Sequence, residues 1–403
     1  MDSASFTAAR ELFQEGLQHH GKGCLAEAEA CYRESLQHLP GRPSTLTNLG
    51  AVLLKLNRAA EALALLDQAL QTEAGNAEAL SHRALALAEL GRDSDALTAF
   101  DLLRAAGGLA NAAVHYHRAL CLARLGRVDD ALAGFDDTLA LDPQFAQAWA
   151  RRGGLLKDMG RPAQAIASLQ RGIDLGADVH VNGYLLASLT GAAAPGSAPA
   201  AYVQQLFDAY AGQFESHLVQ SLDYRVPELL AQLAARHGGG FEQALDLGCG
   251  TGLCAAPLKA LVQRLHGVDL SAGMLEHAAA TQHYERLWQA DIAAHLHATP
   301  ERYALVVAAD VFIYIGDLSG VFAGVQRVLR PGGLFCFSVE QGSDEHSFEL
   351  RSSSRYAHSA ARLRTLAVQR GFQLAALEEA TLRLDQRQPV AGLLLVLKSP
   401  VPG

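Results

Sequence analysis

The stretch Ala244-Leu-Asp-Leu-Gly-Cys-Gly-Thr-Gly252 runs from an apolar segment typical of a buried strand into a glycine-rich loop, and a helix is predicted to follow. Glycines let the backbone approach a ligand closely and adopt dihedral angles that other residues rarely adopt. A second apolar run ends at Asp269, 23 positions after Asp246, where a carboxylate is spaced to meet ribose hydroxyls. Together these features predict a domain that binds a nucleotide-like cofactor.

Apolar segments typical of β-strands recur through the second half of the chain, and helical stretches separate most of them. The segments are 243–247, 264–269, 286–290, 303–309, 334–339, 372–377 and 392–398. This alternation predicts an α/β domain with a parallel sheet and helices on both faces. The last two segments lie close together with Pro389 between them, so a terminal antiparallel hairpin is expected.

The glycine spacing and one acidic residue distinguish between cofactors. Loops that bind dinucleotides follow Gly-x-Gly-x-x-Gly, whereas this loop reads Gly248-x-Gly250-x-Gly252. Asp246 at the strand end would repel a pyrophosphate, but it suits a ligand with an ammonium group. S-adenosylmethionine carries such a group and no phosphate, so the sequence favours it over NAD, for which a second nucleotide-binding half is also absent.

Five motifs follow one another at fitting spacings. They are Asp246–Gly252, Gly267-Val-Asp-Leu-Ser271 with Met274 and Leu275, Ala290-Asp291-Ile292, Tyr303–Asp310, and Val328-Leu-Arg-Pro-Gly-Gly333. In this order they resemble the class I S-adenosylmethionine-dependent methyltransferases, over about residues 201–398. The resemblance implies a Rossmann-like domain in which Asp269 binds the ribose, Asp291 the adenine amino group, and the glycine loop the methionine part. The alternative for Asp291 is a surface carboxylate near a helix start.

The full set of predicted cofactor-binding residues extends beyond the loop. It comprises Asp246, Gly248, Cys249, Gly250, Gly252, Asp269, Leu270, Met274, Asp291, Ile292, Asp310, Tyr210 and Phe214. The last two share one face of a predicted helix with Phe207 and His217. That face is either core or, as the resemblance implies, part of a lid that covers the cofactor with Tyr210 and Phe214.

Three segments are predicted to form the pocket for the methyl acceptor. They are 310–317 after the fourth strand, 338–340 at the end of the fifth strand, and the polar cluster 353–359 before a helix. Tyr314, Glu340 and His358 are the predicted catalytic residues, because strand ends at this edge of a sheet bind ligands and histidine titrates near neutral pH. Arg355 and Tyr356 are predicted to bind substrate. The alternative for the 353–359 cluster is helix-start solvation and packing.

Two absences narrow the acceptor class. No Asn-Pro-Pro-Tyr-like turn follows the fourth strand, which argues against methylation of DNA adenine or glutamine nitrogen. The net charge of −9 argues against a nucleic-acid partner, which needs a basic face. An oxygen or nitrogen atom on a small molecule or on a protein is therefore the expected acceptor, and a general base is not obligatory for an activated methyl donor.

The first half of the chain is a repeat. Its punctuation residues Gly23, Asn57, Gly91, Gly126 and Gly160 are spaced by 34, 34, 35 and 34 positions. An alanine follows each after five positions and a large apolar residue after nine, in segments with helical periodicity. Over about residues 8–176 this pattern resembles five tetratricopeptide repeats, each a helix-turn-helix unit, which implies an all-α solenoid with a concave groove.

One position per repeat is polar and is predicted to line that groove. The residues are Gln14, Asn48, His82, His117 and Arg151. They are predicted to hold the backbone of an extended protein or peptide partner, and the alternative is a solvated helix face. The histidines are read as hydrogen-bonding groups, and the sequence predicts no metal site.

The predicted domain boundary is the Gly-, Pro- and Ala-rich segment 190–200, which would link a repeat domain at 1–189 to a catalytic domain at 201–403. No signal peptide or membrane span is predicted, and the six cysteines form no CxxC pair, so a reducing cytoplasm is expected. As a whole the chain resembles bacterial repeat-containing methyltransferases. Three hypotheses follow: a methyltransferase whose repeats recruit a partner, an adaptor that only binds the cofactor, or a small-molecule enzyme whose repeats dimerise.

Overall fold

The structure is a computed structural model that describes residues 3–108, 111–210, 224–385 and 387–401. The chain divides into two compact units, Met1–Ala177 and Asp178–Gly403. The first consists of helices and the second is built on a β-sheet, so each is described by itself.

Helices of the first unit follow one another in antiparallel pairs. They are α1 (Ser3–Gly21), α2 (Leu25–His38), α3 (Pro43–Lys55), α4 (Ala59–Thr72), α5 (Ala77–Glu89), α6 (Asp93–Ala105), α7 (Ala112–Arg124), α8 (Val128–Leu141), α9 (Ala146–Asp158) and α10 (Pro162–Asp174). The turn residue of every pair has a positive φ, from 58° at Asn57 to 77° at Gly23. This left-handed conformation favours glycine and tolerates asparagine, so the repeat punctuation predicted from the sequence is confirmed.

Within each pair the small and large residues of the repeat meet. The recurring alanines (Ala28, Ala62, Ala96, Ala131 and Ala165) are fully buried, as are Tyr32, Leu66, Phe100 and Leu169. At Gly50 in α3 an added Cβ would lie 2.8 Å from the Leu66 side chain of α4. The helices therefore approach too closely for a larger side chain, which is why the pattern combines a small residue with a bulky partner.

The second unit begins with helices and continues as an α/β fold. Its elements are α11 (Val179–Thr190), α12 (Ala200–Tyr210), α13 (Val226–His237), β1 (Phe241–Leu247), α14 (Ala255–Leu258), β2 (Val262–Asp269), α15 (Ala272–Ala280), β3 (Arg286–Gln289), α16 (Ile292–Ala298), β4 (Tyr303–Ala308), a 3₁₀ turn (Phe312–Tyr314), α17 (Ser319–Val328), β5 (Leu329–Gln341), β6 (Phe348–Leu350), β7 (Tyr356–His358), α18 (Ala360–Gln369), β8 (Gln373–Asp385) and β9 (Gln388–Lys398).

The central strands lie in the order β3-β2-β1-β4-β5 and are parallel. β9 pairs antiparallel with β5, and β8 pairs antiparallel with β9. The predicted α/β class, parallel sheet and terminal hairpin are confirmed. Apolar cores cover both faces: one includes Leu245, Phe322 and Phe335, and the other includes Leu230, Ala244 and Cys336.

Two short strands were missed by the sequence analysis. β7 pairs with the end of β5 and with β6, so Tyr356 and His358 lie in a strand rather than in an irregular polar cluster. Three residues form too short a segment for periodicity to show. The helix that was expected to follow is present, and the Ser359 hydroxyl caps it by accepting a hydrogen bond from the Arg362 amide at 3.1 Å.

The predicted linker 190–200 lies inside the second unit. The Ala198 amide donates a 2.8 Å hydrogen bond to the Tyr314 carbonyl, and the Gly196 carbonyl accepts from the amides of Gly316 and Asp317. Helix α11 also groups with the second unit, which begins at Asp178. The division into domains at 1–189 and 201–403 stays a prediction. Among the described residues, none of the helices combines the length and apolarity that a membrane crossing requires.

Candidate functional site

The glycine loop after β1 has a backbone that only glycine adopts readily. The φ angles of Gly248, Gly250 and Gly252 are 64°, 54° and 95°. A Cβ at Gly248 would lie 2.7 Å from a methyl group of Val311, which follows β4. The loop is therefore pressed against the segment that follows the neighbouring strand. The amides of Gly248 and Cys249 donate to the Val268 carbonyl of β2, at 2.8 and 3.1 Å, which fixes the loop beside the end of that strand.

Asp269 at the end of β2 is tied to this loop. Its Oδ2 accepts a 2.9 Å hydrogen bond from the Gly250 amide, and its Oδ1 accepts one from the Ser271 amide at the same distance. Each carboxylate oxygen has a second acceptor site, so both remain able to bind hydroxyls. Burial raises the pKa of Asp269, while the backbone hydrogen bonds oppose that shift.

A cavity of about 840 Å³ opens at the carboxyl ends of the parallel strands. Its walls come from the glycine loop, the ends of β2 and β4, the start of α16 and the segment 196–207. The lining includes Cys249, Gly250, Asp269, Leu270, Asp291, Ile292, Asp310 and Val311. A mostly apolar cavity with a few polar groups at this edge of a sheet is the usual form of a small-molecule site.

Helix α12 forms one side of this cavity. Val203, Leu206 and Phe207 line it, and the Phe207 ring meets the Tyr314 ring edge to face at 5.5 Å. The Ser271 hydroxyl donates a 2.5 Å hydrogen bond to Asp208, which joins α12 to the end of β2. Phe214 and the side chain of Tyr210 lie outside the described residues, so the lid role predicted for them stays a prediction.

Asp246 is buried beneath the loop, with 1% of its surface exposed. Its Oδ2 accepts a 2.7 Å hydrogen bond from the Tyr284 hydroxyl, and burial raises its pKa to about 7. It is absent from the cavity lining formed by the described residues. This placement differs from the expected direct contact with an ammonium group, because the carboxylate is buried against Tyr284.

The remaining predicted cofactor residues divide into two groups. Asp291, Leu270 and Ile292 line the cavity, and Asp291 also caps α16 by accepting from the Ala294 amide at 2.9 Å. Met274 is fully buried and, like Gly252, is not part of the described lining. Met274 belongs to α15, and a Cβ at Gly252 would lie 3.4 Å from Ala278 of the same helix.

Asp310 stands at the end of β4 in an unusual backbone conformation, with a φ of 56°. Its amide donates to the Ser338 hydroxyl at 2.8 Å. Its Oδ2 accepts a 2.5 Å hydrogen bond from Arg383 of β8, and the same guanidinium bonds Glu340 of β5. Arg383 is 3% exposed, so three strands are joined by a buried ion-pair network beside the cavity.

The three predicted catalytic residues do not all line the cavity. Tyr314 lines the cavity, and burial raises its pKa. Glu340 is buried and bonded to Arg383 and Arg351. His358 is 2% exposed, its Nε2 lies 3.1 Å from the Phe312 carbonyl, and burial lowers its pKa to about 4.

These placements do not fit proton removal by His358 or direct chemistry by Glu340. Neither side chain is part of the described cavity lining, and an imidazole with a pKa near 4 is too weak a base to remove a proton efficiently at neutral pH. The sequence could not show this, because strand β7 turns the histidine away from the cavity. Tyr314 remains the predicted catalytic residue that reaches the cavity.

The predicted substrate-binding pair is also divided. Arg355 lines the cavity, and its Nη1 donates a 2.8 Å hydrogen bond to Asp385. Tyr356 is fully buried, and its hydroxyl donates to the Pro195 carbonyl at 2.6 Å. Alternation along strand β7 sends neighbouring side chains in opposite directions, so Tyr356 has a packing role here.

Sequence reasoning missed two parts of the site. Arg383 had one weak signal, a basic residue between two apolar ones in Leu382-Arg383-Leu384, but this stretch lies between the predicted strands 372–377 and 392–398. Residues 196–200 had none, because their small-residue composition indicates a linker. Only the folded chain brings both to the cavity wall.

In the first unit, the predicted groove residues fall once on the first helix of each pair. These helices are α1, α3, α5, α7 and α9. Gln14 and Arg151 are exposed, whereas Asn48, His82 and His117 are half-buried. Burial lowers the pKa of both histidines. In the middle repeats the predicted groove side chains are therefore half-buried, and both histidines are neutral hydrogen-bonding groups. In the first and last repeats, Gln14 and Arg151 are more exposed to solvent.

Known proteins resemble the two units separately. Residues 245–337 match the family described as "Methyltransferase domain", and residues 146–177 match "Tetratricopeptide repeat". Methyltransferase-like protein 27 of Homo sapiens is 32% identical over 36% of this chain and 60% of its own length. Malonyl-[acyl-carrier protein] O-methyltransferase of Serratia marcescens is 30% identical over 34% of this chain and 52% of its own length. The chain thus spans little more than half of these relatives.

The N-methyltransferase NodS of Bradyrhizobium japonicum, solved with S-adenosyl-L-homocysteine, is a similar structure. It is 18% identical with a TM-score of 0.36, and the match covers 44% of this chain and 89% of that one.

Proposed function

This chain is a tetratricopeptide-repeat protein with a class I methyltransferase domain, and we propose that it transfers a methyl group from S-adenosylmethionine to an oxygen or nitrogen atom. The acceptor belongs to a protein or a small molecule. The O-methyltransferase name of the Serratia marcescens relative supports an oxygen acceptor.

One observation carries the proposal: Asp269 is hydrogen-bonded to the glycine loop at Gly250 and lines the cavity at the sheet's carboxyl edge. A carboxylate held there has lone pairs for a ribose diol. The apolar side chains of Leu270 and Ile292 offer surfaces for a flat ring. The residues present therefore fit S-adenosylmethionine.

The cofactor, when bound, supplies a methyl group already activated by a positively charged sulfur. The chain itself is required to hold both reactants in line and to exclude water. Phe207 and Leu206 of α12, together with Ile313, provide an apolar wall for that purpose. Tyr314 and Arg355 lie on the same cavity and are proposed to orient the acceptor.

The network around Asp310 is proposed to shape this site rather than to react. Arg383 satisfies one carboxylate oxygen of Asp310, and Ser338 bonds both its amide and its other oxygen. A carboxylate with these partners is held in one orientation. It is therefore suited to set the end of β4 and the electrostatics of the cavity, where Asp310 meets the ligand.

For the repeats we propose a recruiting role. The groove positions Asn48, His82 and His117 recur on successive first helices and present polar atoms from a half-buried surface. Asn48 donates its amide to the Ser44 carbonyl at 2.9 Å, which leaves its side-chain oxygen as an acceptor for a peptide amide. An extended peptide segment is the partner that such a regular row suits.

Calorimetric titration of S-adenosylmethionine into the full chain tests the cofactor assignment. Binding is expected for the parent protein, and Asp269→Ala is expected to weaken it at least about tenfold, because a charge-assisted hydrogen bond contributes about 1.5–3 kcal/mol. Asp95→Ala, an exposed aspartate of the first unit, is the matched control. Absence of binding, or equal affinity in Asp269→Ala, would contradict the proposal.

Methyl-tritiated cofactor then distinguishes the three roles. The proposed enzyme labels a protein or a small molecule in a lysate, whereas an adaptor that only binds the cofactor labels neither. Recruitment predicts that the double variant His82→Ala/His117→Ala loses labelling while it retains cofactor binding. Unchanged labelling of a small molecule in that variant would favour the alternative in which the repeats serve only dimerisation.

A further inference from the structure

Three side chains of different chemistry converge on the surface of the first repeat. They are Glu15 and His19 of α1 and Cys31 of α2, and their ligand-forming atoms all lie within 4.8 Å of one another. Glu15 and His19 are one helical turn apart, with the carboxylate 3.8 Å from Nε2 of the imidazole. The neighbouring helix brings the thiol to the same point, although 12 residues separate it from His19 in the sequence.

The three ligand types distinguish between metal ions. Thiolate, imidazole and carboxylate are all ligands of zinc, whereas magnesium and calcium bind oxygen. Zinc bonds of about 2.0–2.3 Å require ligand atoms within about 4 Å of one another. Small rotations of the two α1 side chains reach that spacing, because Glu15 and His19 are partly exposed and Cys31 is half-buried.

The electrostatic surroundings favour a cation at the same point. The carboxylates of Glu15 and Glu34 both lie near the Cys31 thiol, so acidic charge surrounds this point. A divalent cation bound between these groups would stabilise the thiolate, displace its proton to solvent, and neutralise the acidic charge around it.

We infer that the first repeat binds one zinc ion through Glu15, His19 and Cys31, with water in the fourth position. The ion joins α1 to α2 on the surface of the pair. The site lies in the repeat unit, so zinc binding can be measured independently of cofactor binding and methyl transfer.

Cobalt serves as the spectroscopic probe of the untagged, reduced full chain. One equivalent of Co²⁺ is expected to give a thiolate-to-cobalt charge-transfer absorption in the near ultraviolet together with the intense visible bands of a four-coordinate ion. Zn²⁺ is expected to displace it stoichiometrically. The parent protein should also unfold at a higher temperature with zinc than with chelator, because binding to the folded form stabilises it.

Single variants with matched controls assign the ligands. Cys31→Ser is expected to abolish the charge-transfer band, and His19→Ala and Glu15→Gln to weaken zinc binding by about a hundredfold or more, beyond the loss expected for an outer-shell partner. Cys24→Ser and His38→Ala alter a thiol and an imidazole outside the cluster and should leave binding unchanged.

Circular dichroism of each variant shows whether α1 and α2 are retained. No charge-transfer band in the parent protein overturns the inference. So does a band that survives in folded Cys31→Ser, since another thiol would then bind the ion.

Discussion

Nη1 of Arg383 donates a 2.5 Å hydrogen bond to Oδ2 of Asp310. The arginine comes from strand β8 and the aspartate from the end of β4, 73 residues earlier in the chain. Glu340 of β5 accepts from the other terminal nitrogen. The terminal hairpin is thereby connected to the segment that follows β4 and lines the cavity.

Replacing Arg383 by leucine should destabilise the second unit by about 3–5 kcal/mol, because Asp310 would lose its cation and the buried Glu340 would keep only Arg351. Urea unfolding followed by tryptophan fluorescence measures this change. The chain has two tryptophans, Trp149 in the first unit and Trp288 in the second, so a Trp149→Phe background isolates the second unit. Arg236→Leu, which removes an exposed pair with Glu378, should change stability by less than about 1 kcal/mol. Equal effects of the two substitutions would show that the network contributes nothing beyond a surface pair.

Alanine at Gly248 should abolish binding of S-adenosylmethionine. Its Cβ would lie 2.7 Å from Val311, and the φ of 64° is strained for any side chain, so the loop must shift away from its ligand-binding conformation. Gly320 also lines the cavity, but a Cβ there meets no atom within 4 Å. Calorimetry of Gly320→Ala should therefore give the affinity of the parent protein. Normal binding by Gly248→Ala would contradict the assignment of the loop as the cofactor cradle.

His358 should make the second unit lose stability on acidification. Its pKa is about 4 when folded and about 6.5 when unfolded, so the unfolded chain binds more protons between these values. Its contribution to the free energy of unfolding is therefore fully present above about pH 6.5. That contribution falls by on the order of 3 kcal/mol as the pH approaches 4. Asp246 has a folded pKa of about 7, so its contribution to the unfolding free energy changes with pH in the opposite direction. A variant of His358 is needed to separate the two contributions.

Urea unfolding of His358→Gln across this pH range, again in the Trp149→Phe background, provides that separation. The difference in unfolding free energy between parent and variant should change by about the stated amount between pH 7 and pH 4. His237→Gln, at an exposed position at the end of α13, should leave the profile parallel to that of the parent. A parallel profile for His358→Gln would mean that the buried imidazole titrates normally.

Adjacent glycines in α9 should respond oppositely to alanine. At Gly153 an added Cβ would lie 2.7 Å from the Leu169 side chain and 3.0 Å from its backbone nitrogen, whereas at Gly154 it would meet nothing within 4 Å. Gly153→Ala should destabilise the first unit by about 1–3 kcal/mol, and Gly154→Ala should stabilise it by up to about 1 kcal/mol. Fluorescence of Trp149 in a Trp288→Phe background reports this unit. Stabilisation by Gly153→Ala would contradict the predicted clash with Leu169, and destabilisation by Gly154→Ala would contradict the open space found there.

Periodic and local signals were sufficient for the fold. The repeat of 34 or 35 residues, with glycine or asparagine at each turn, specified the helix pairs because the left-handed turn and the small-to-large contact are local chemistry. Strand-sized apolar segments alternating with helices specified the parallel sheet for the same reason. Both are confirmed, as is the terminal hairpin.

The direction of individual side chains was decided by tertiary structure. Residues that follow one another in the 353–359 segment, such as Arg355, Tyr356 and His358, separate into one cavity residue and two buried ones. The cause is a three-residue strand whose pairing with β5 has no signature in the sequence. Arg383 and Asp310 are far apart in the sequence but lie side by side in the structure. Their contact depends on the register of the terminal hairpin.

The sequence alone determined the kind of cofactor expected at the glycine loop. Gly248, Gly250 and Gly252 act through backbone freedom, and Asp269 follows them at a characteristic spacing along the chain. Only the folded chain decided which acidic and aromatic groups face the cavity, and only it brought Glu15, His19 and Cys31 together across two helices. The physical reason is the same in both cases: contacts between distant segments depend on packing geometry, which residue order does not display.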